Sequence, residues 1–227
     1  LHKEYRRQRQ MCIRDSDTQG YSNTGGQASM ATYMSQNADM AAVGKEMKGK
    51  SEGRKELANI ALMHPNTYVA QTTCAHFNHF YRSILEANEH DGPAVIVAYS
   101  TCQPEHGVAD NVAMHQAKLA VDSRAFPMMV YNPNKGNSIK ERLDLKGNPS
   151  VKDDWYTIRK TKETIDFVTF AATEGRFSKH FDKDGNPSPE LLLAQQERLE
   201  NWHVLQELAG IISVSYTHLP LPTILVV

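Results

Sequence analysis

Eleven consecutive residues, Asp17-Thr18-Gln19-Gly20-Tyr21-Ser22-Asn23-Thr24-Gly25-Gly26-Gln27, concentrate the ligand-binding chemistry of this 227-residue sequence. They hold four hydroxyls, one carboxylate, three side-chain amides and three glycines. Hydroxyl and amide oxygens suit a hard cation, and hydroxyl and amide hydrogens can donate to a phosphate. Glycine admits positive φ and lets a ligand approach the main chain. The same composition also describes a solvated cluster of turns. A second chemical candidate is Cys102, a lone cysteine in the loop Ser100–Gly107. Lone cysteines more often serve as small buried hydrophobes than as metal ligands.

These residues need elements to hold them. Ala94-Val95-Ile96-Val97-Ala98-Tyr99 is a near-continuous apolar run, the pattern of a strand buried on both faces of a parallel sheet. Thr67–Gln71 and Pro127–Tyr131 are further strand candidates, and helices are expected over 28–42, 54–64, 74–89, 108–123, 161–172 and 188–208. In the 74–89 helix Phe77, Phe80, Tyr81, Ile84 and Leu85 form the apolar side. Alternating strands and helices predict an α/β fold, an open, mostly parallel sheet with helices on both faces. Ligands in such sheets bind at the carboxyl ends of strands, which puts Cys102 at a favoured place. Thr18 would share it if a strand ran just upstream.

Composition narrows the function classes. Twenty-five basic against 26 acidic side chains give a net charge of -1, no electrostatic reason to expect nucleic acid or an anionic membrane as partner. No apolar run approaches the ~20 residues of a membrane helix. Cys12, Cys74 and Cys102 are too few and too irregular for a disulfide framework, so a cytoplasmic location is the expectation. Cys74 is read as core. The ends look foreign. Residues 1–16 are highly basic and residues 213–227 Pro-rich, and both resemble translated sequencing-adapter sequence. The expected unit is therefore 17–212, a partial domain truncated on its N-terminal side; a natural basic arm and tail are the alternative.

Three segments together, DTQGYSNTGGQ, VAYSTCQPEHG and YNP at Tyr131–Pro133, resemble the carboxyl-terminal thiamine-diphosphate domain of the pyruvate:ferredoxin (flavodoxin) oxidoreductases. EGRF at Glu174–Phe177 and the last helix also match, so the resemblance covers most of residues 17–210. It implies thiamine diphosphate (thiamine pyrophosphate) bound through Mg²⁺, with the Thr18 hydroxyl and the Gly20 carbonyl as metal ligands. Tyr21, Ser22 and Asn23 would face the cofactor, Asn23 donating to developing negative charge as the catalytic residue. The family commonly has a larger residue at Gly20, which a carbonyl ligand tolerates. Cys102 would complete a four-cysteine [4Fe-4S] iron–sulfur site.

The implied parent is an oxidoreductase that decarboxylates a 2-oxo acid, pyruvate by the motif pair, with acyl transfer to coenzyme A. It would act in electron transport to ferredoxin or flavodoxin, as a homodimer. The sequence lacks the other cluster cysteines and the upstream diphosphate motif, so the chain alone is expected to be inactive. Two rival functions stand beside this one: an iron-free thiamine-dependent decarboxylase or carboligase, and a non-catalytic phosphate-binding α/β module. Further cysteines upstream would separate the first, and titration with thiamine diphosphate and Mg²⁺ the second.

Overall fold

The structure is a computed structural model that describes residues 12–22, 24–41 and 49–213. Five strands form one sheet in the order β1-β3-β2-β4-β5. They are β1 (Cys12–Asp17), β2 (Tyr68–Thr73), β3 (Ala94–Tyr99), β4 (Met129–Tyr131) and β5 (Leu143–Asp144). The first three are parallel, with Cys12 and Tyr68 both in register with Ala94. A separate ribbon joins β6 (Tyr156–Thr157) to β7 (Thr164–Ile165).

Both faces of the sheet are covered, as the unbroken apolar run of β3 requires. Val69, Val97, Tyr99, Met129 and Tyr131 face the larger core, packed by Ala58, Ala61, Phe126, Phe170, Leu191 and Trp202. Tyr68, Ala70, Ala94 and Ile96 point the other way and meet Ala87 and Ile84 of the Phe77–Glu89 helix. The period-2 alternation of strand side chains produces this division. Helices on both faces of a mostly parallel sheet make the fold α/β.

Several local expectations change. β4 runs antiparallel to β2, so the last crossover is not a βαβ unit. The preceding helix, Ala113–Asp122, packs on the Cys74–His76 turn that follows β2. It stays near the carboxyl end of the sheet, and β4 therefore starts there. Residues 28–41 form turns rather than a helix. Ser29 and Thr32 draw backbone amides onto their hydroxyls, and Ser35 and Met40 take φ of 68° and 61°. Short polar side chains of this kind compete with the helical ladder.

Residues 12–16, expected outside the fold, supply the first five positions of β1. Within 161–172, Thr164 and Ile165 are strand and only Phe167–Ala171 is helix, because the Asp166 carboxylate accepts from Thr169 N and starts the helix there. The Pro189–Leu208 helix begins as its sequence suggests, with the Ser188 hydroxyl accepting from Leu191 N at 3.3 Å.

Candidate functional site

The Thr18–Gln27 segment leaves the carboxyl end of β1, and its inner side is fixed by buried polar contacts. Gln19 is fully buried with φ 56°, a left-handed conformation uncommon for a side chain of its size. Its amide nitrogen donates to the Asp17 carbonyl at 2.7 Å, and its own carbonyl accepts from Thr32 Oγ1 at 2.8 Å and Gln36 Nε2 at 3.2 Å. Arg176 Nη1 donates to Gln19 Oε1 at 3.3 Å. With Gln19 held inward, its neighbours turn outward. Thr18 Oγ1 donates to the Gly20 carbonyl at 3.0 Å, and Ser22 Oγ donates to Thr18 Oγ1 at 2.7 Å. Tyr21 N closes the loop on the Gln27 carbonyl at 3.0 Å, and the Tyr21 ring is exposed. Asn23 lies outside the described residues.

The floor of this loop is a charged network. Asp17 pairs with Arg54, which also donates to Glu56 at 2.9 Å, and Glu56 pairs in turn with Arg198. These charges are tolerated in the interior because each faces an opposite charge. Opposition lowers the Glu56 pKa even though burial alone would raise it. Glu174 is buried and takes Arg176 Nε at 2.6 Å, Gln116 Nε2 at 3.2 Å and the Tyr99 hydroxyl at 3.4 Å. Burial nevertheless pushes its carboxyl pKa up.

Cys102 leaves the carboxyl end of β3, next to β1. It precedes the one-turn helix Gln103–His106, and its carbonyl accepts from His106 N at 2.8 Å. The thiol is free and partly buried. His106 is fully buried, and its Nε2 lies 2.9 Å from the Thr18 carbonyl. A carbonyl can only accept, so Nε2 carries the proton. Burial, then the Arg176 charge, lower the His106 pKa to about 3, which keeps the ring neutral. Gly107 follows at φ 65°, and a Cβ there would stand 2.8 Å from Gly175 Cα. The Cys102 loop and the Glu174–Phe177 segment thus cross at a pair of glycines.

Thr18, Gly20, Ser22 and Cys102 therefore lie beyond one end of the sheet, in the segments that follow two adjacent strands. Glu105 joins Thr18, Gly20 and Ser22 around a crevice of about 10 Å³, and a cleft of about 360 Å³ adjoins it, lined in part by Gly25, Gly26, Asn37, Glu105 and Arg176. Cys74 is not core: it is exposed, and its Sγ lies 3.6 Å from Met114 Sδ. Gln19, Arg54, Glu174 and Arg176 are the site residues that sequence reasoning missed. Only the EGRF match marked two of them, and no local pattern told that Arg176 and Gln19, 157 positions apart, would meet.

Among the described residues, no helix is long and apolar enough to cross a membrane, and no group of three or more His, Cys, Asp or Glu side chains is arranged to hold a metal. No family model matches the chain. Curated proteins do. The chain is 32% identical over 197 residues to the pyruvate-flavodoxin oxidoreductase of Rhodospirillum rubrum, which covers 86% of this chain and 15% of that protein. It is 33% identical over 197 residues to the pyruvate:ferredoxin oxidoreductase of Moorella thermoacetica, covering 84% of this chain and 15% of that one. It is 32% identical over 187 residues to the pyruvate dehydrogenase [NADP(+)] of Cryptosporidium parvum, covering 81% and 9%. The chain thus spans about a seventh or less of these relatives, and over most of its own length it belongs to one segment of the pyruvate:ferredoxin (flavodoxin) oxidoreductase family.

Proposed function

We propose that this chain is the thiamine-diphosphate-binding segment of a pyruvate-oxidising parent protein, and that Thr18 and Gly20 hold the Mg²⁺ of the cofactor. The convergence of Thr18 Oγ1 and the Gly20 carbonyl, 3.0 Å apart, carries this proposal. Mg²⁺ takes octahedral oxygens at about 2.1 Å, so two adjacent ligands stand about 3.0 Å from each other. The oxygens thus have the spacing of one octahedral edge, beside a crevice that both residues line. Neither is an acidic side chain; the remaining charge on such an ion would be balanced by the diphosphate.

In this proposal the buried Gln19 contacts keep both oxygens turned outward without a ligand present, so little ordering remains for binding. Ser22 Oγ orients the Thr18 hydroxyl by donating to it. Tyr21 and Ser22 would border the cofactor, and Asn23, by the family resemblance, would donate to negative charge developing on the 2-oxo acid. Thiamine diphosphate, when bound, supplies the electron sink for loss of CO₂. Cys102 would give one thiolate to a [4Fe-4S] cluster. Such a cluster needs four cysteines, and this chain's described residues do not supply a set, so no electron-transfer step is derived from them.

Coenzyme A as acyl acceptor, a homodimeric parent and a cytoplasmic location complete the proposal. The names of the Rhodospirillum and Moorella relatives support flavodoxin or ferredoxin as electron acceptor; the Cryptosporidium name favours NADP⁺ as a second reading. Calorimetric titration of the full-length parent with thiamine diphosphate and Mg²⁺ tests the proposal. Wild type should bind, and Thr18→Val should lose at least about tenfold in affinity, since a metal-coordinating oxygen is removed. No binding by wild type would favour the phosphate-binding module; binding in a parent without iron would favour the decarboxylase.

A further inference from the structure

The Thr18 and Cys102 segments leave adjacent strands, yet among the described residues one side chain, His106, links the loop around Cys102 to the Thr18 carbonyl. His106 N donates to the Cys102 carbonyl at 2.8 Å, and His106 Nε2 donates to the Thr18 carbonyl at 2.9 Å. The residue is fully buried, and its other ring nitrogen, Nδ1, has no hydrogen-bond partner; the nearest carboxylate oxygen, Glu174 Oε1, is 3.8 Å away. A buried polar atom left unpartnered costs stability. A residue chosen only to fill this space would not need that nitrogen. Leucine has nearly the same bulk without it.

The Thr18 carbonyl has one hydrogen bond among those described, and His106 makes it. That bond directs the Thr18 peptide into the protein. The same residue's hydroxyl stands 3.0 Å from the Gly20 carbonyl on the outer side. Behind His106 the chain cannot yield, because Gly107 and Gly175 are in backbone contact. We infer that His106 is a positioning residue: it ties the Cys102 loop to the Thr18 peptide and thereby fixes the Thr18–Gly20 oxygen pair. The inference deepens the proposed function and rests on it only for what the oxygen pair binds. Glutamine carries an amide nitrogen at about the reach of Nε2 and can replace this bond; leucine cannot.

The test compares wild type, His106→Gln and His106→Leu in the full-length parent. Two readouts are used: calorimetric affinity for thiamine diphosphate with Mg²⁺, and hydrogen–deuterium exchange of the Tyr21 amide, which closes the loop on Gln27. One lost hydrogen bond is worth roughly a fivefold change in an equilibrium. His106→Leu should therefore bind at least about fivefold more weakly and exchange Tyr21 at least about fivefold faster, while His106→Gln stays within about twofold of wild type in both. Unchanged Tyr21 exchange in His106→Leu overturns the inference, as does a glutamine variant no better than the leucine one. If wild type does not bind the cofactor, the proposed function fails, and the exchange readout still decides whether His106 positions the loop.

Discussion

Arg54, Glu174, Arg176 and Arg198 lie buried beneath the Asp17–Gln27 segment, whereas Phe77, Tyr81 and Leu85 stand 69%, 52% and 43% exposed along the Phe77–Glu89 helix. The two regions invert the usual sorting of residues. At the loop floor every buried charge faces a partner, and Arg176 also stacks its guanidinium within 5.4 Å of the Tyr33 ring centre. On the helix, Phe77 and Tyr81 stack on each other, 6.0 Å apart and 9° from parallel, in contact with solvent. The helix turns only Ser83 and Ala87 fully inward. Buried charge here specifies one arrangement of the loop, because any misplacement leaves a charge without its partner. The exposed stripe specifies nothing within this chain.

Perturbing each region should sharpen that contrast. Arg176→Ala removes the charge partner of the Glu174 carboxylate and a donor to Gln19 Oε1, and should cost about 3–5 kcal/mol of stability in a urea titration. A loss below about 1 kcal/mol would mean that the network is incidental. Next comes Gly107→Ala. The added Cβ meets Gly175 backbone at 2.8 Å from a residue at φ 65°, so about 1–3 kcal/mol should be lost. A neutral outcome there would show that the glycine crossing can open.

A smaller effect is expected from His79, on the inner side of the Phe77–Glu89 helix. Its Nδ1 lies at hydrogen-bond distance, 2.8 Å, from the Thr72 hydroxyl, and burial, then His76, hold its pKa below 6.5. The unfolded chain takes up this proton at a higher pH than the folded one. Its contribution to stability is thus fully present above pH 6.5 and declines as pH falls below it. Denaturant titrations at pH 7 and 5.5 should show less acid destabilisation in His79→Gln than in wild type; equal slopes would exclude His79 as a source. Least of all, Tyr81→Gln should change stability by no more than about 0.5 kcal/mol, as at an exposed surface position. A loss above about 2 kcal/mol would place that ring in a core, against its exposure.

Much of the architecture was legible from the chain itself. The apolar run 94–99 suggested a strand covered on both faces, and Ser188-Pro189-Glu190 marked the start of the last helix. The Asp17–Gln27 loop stood out by composition, and the order of three motifs carried the family. Other features failed for identifiable reasons. The Phe77–Leu85 stripe has helical spacing, but periodicity reports amphipathicity and not which side meets the core. Residues 28–41 contain helix formers, yet Ser29 and Thr32 capture the amides a helix would need.

Sequence alone determined the chemical inventory of this protein: hydroxyls and glycines at the head, a cysteine after the central strand, and the local propensities that build the sheet. Tertiary structure alone decided that Gln19 turns inward, that Arg176 reaches it across 157 positions, and that His106 meets the Thr18 carbonyl. It also decided the direction of β4. Composition and period act over a few residues, whereas the partner of a buried polar group is chosen by where distant segments cross, and only the packed chain fixes those crossings.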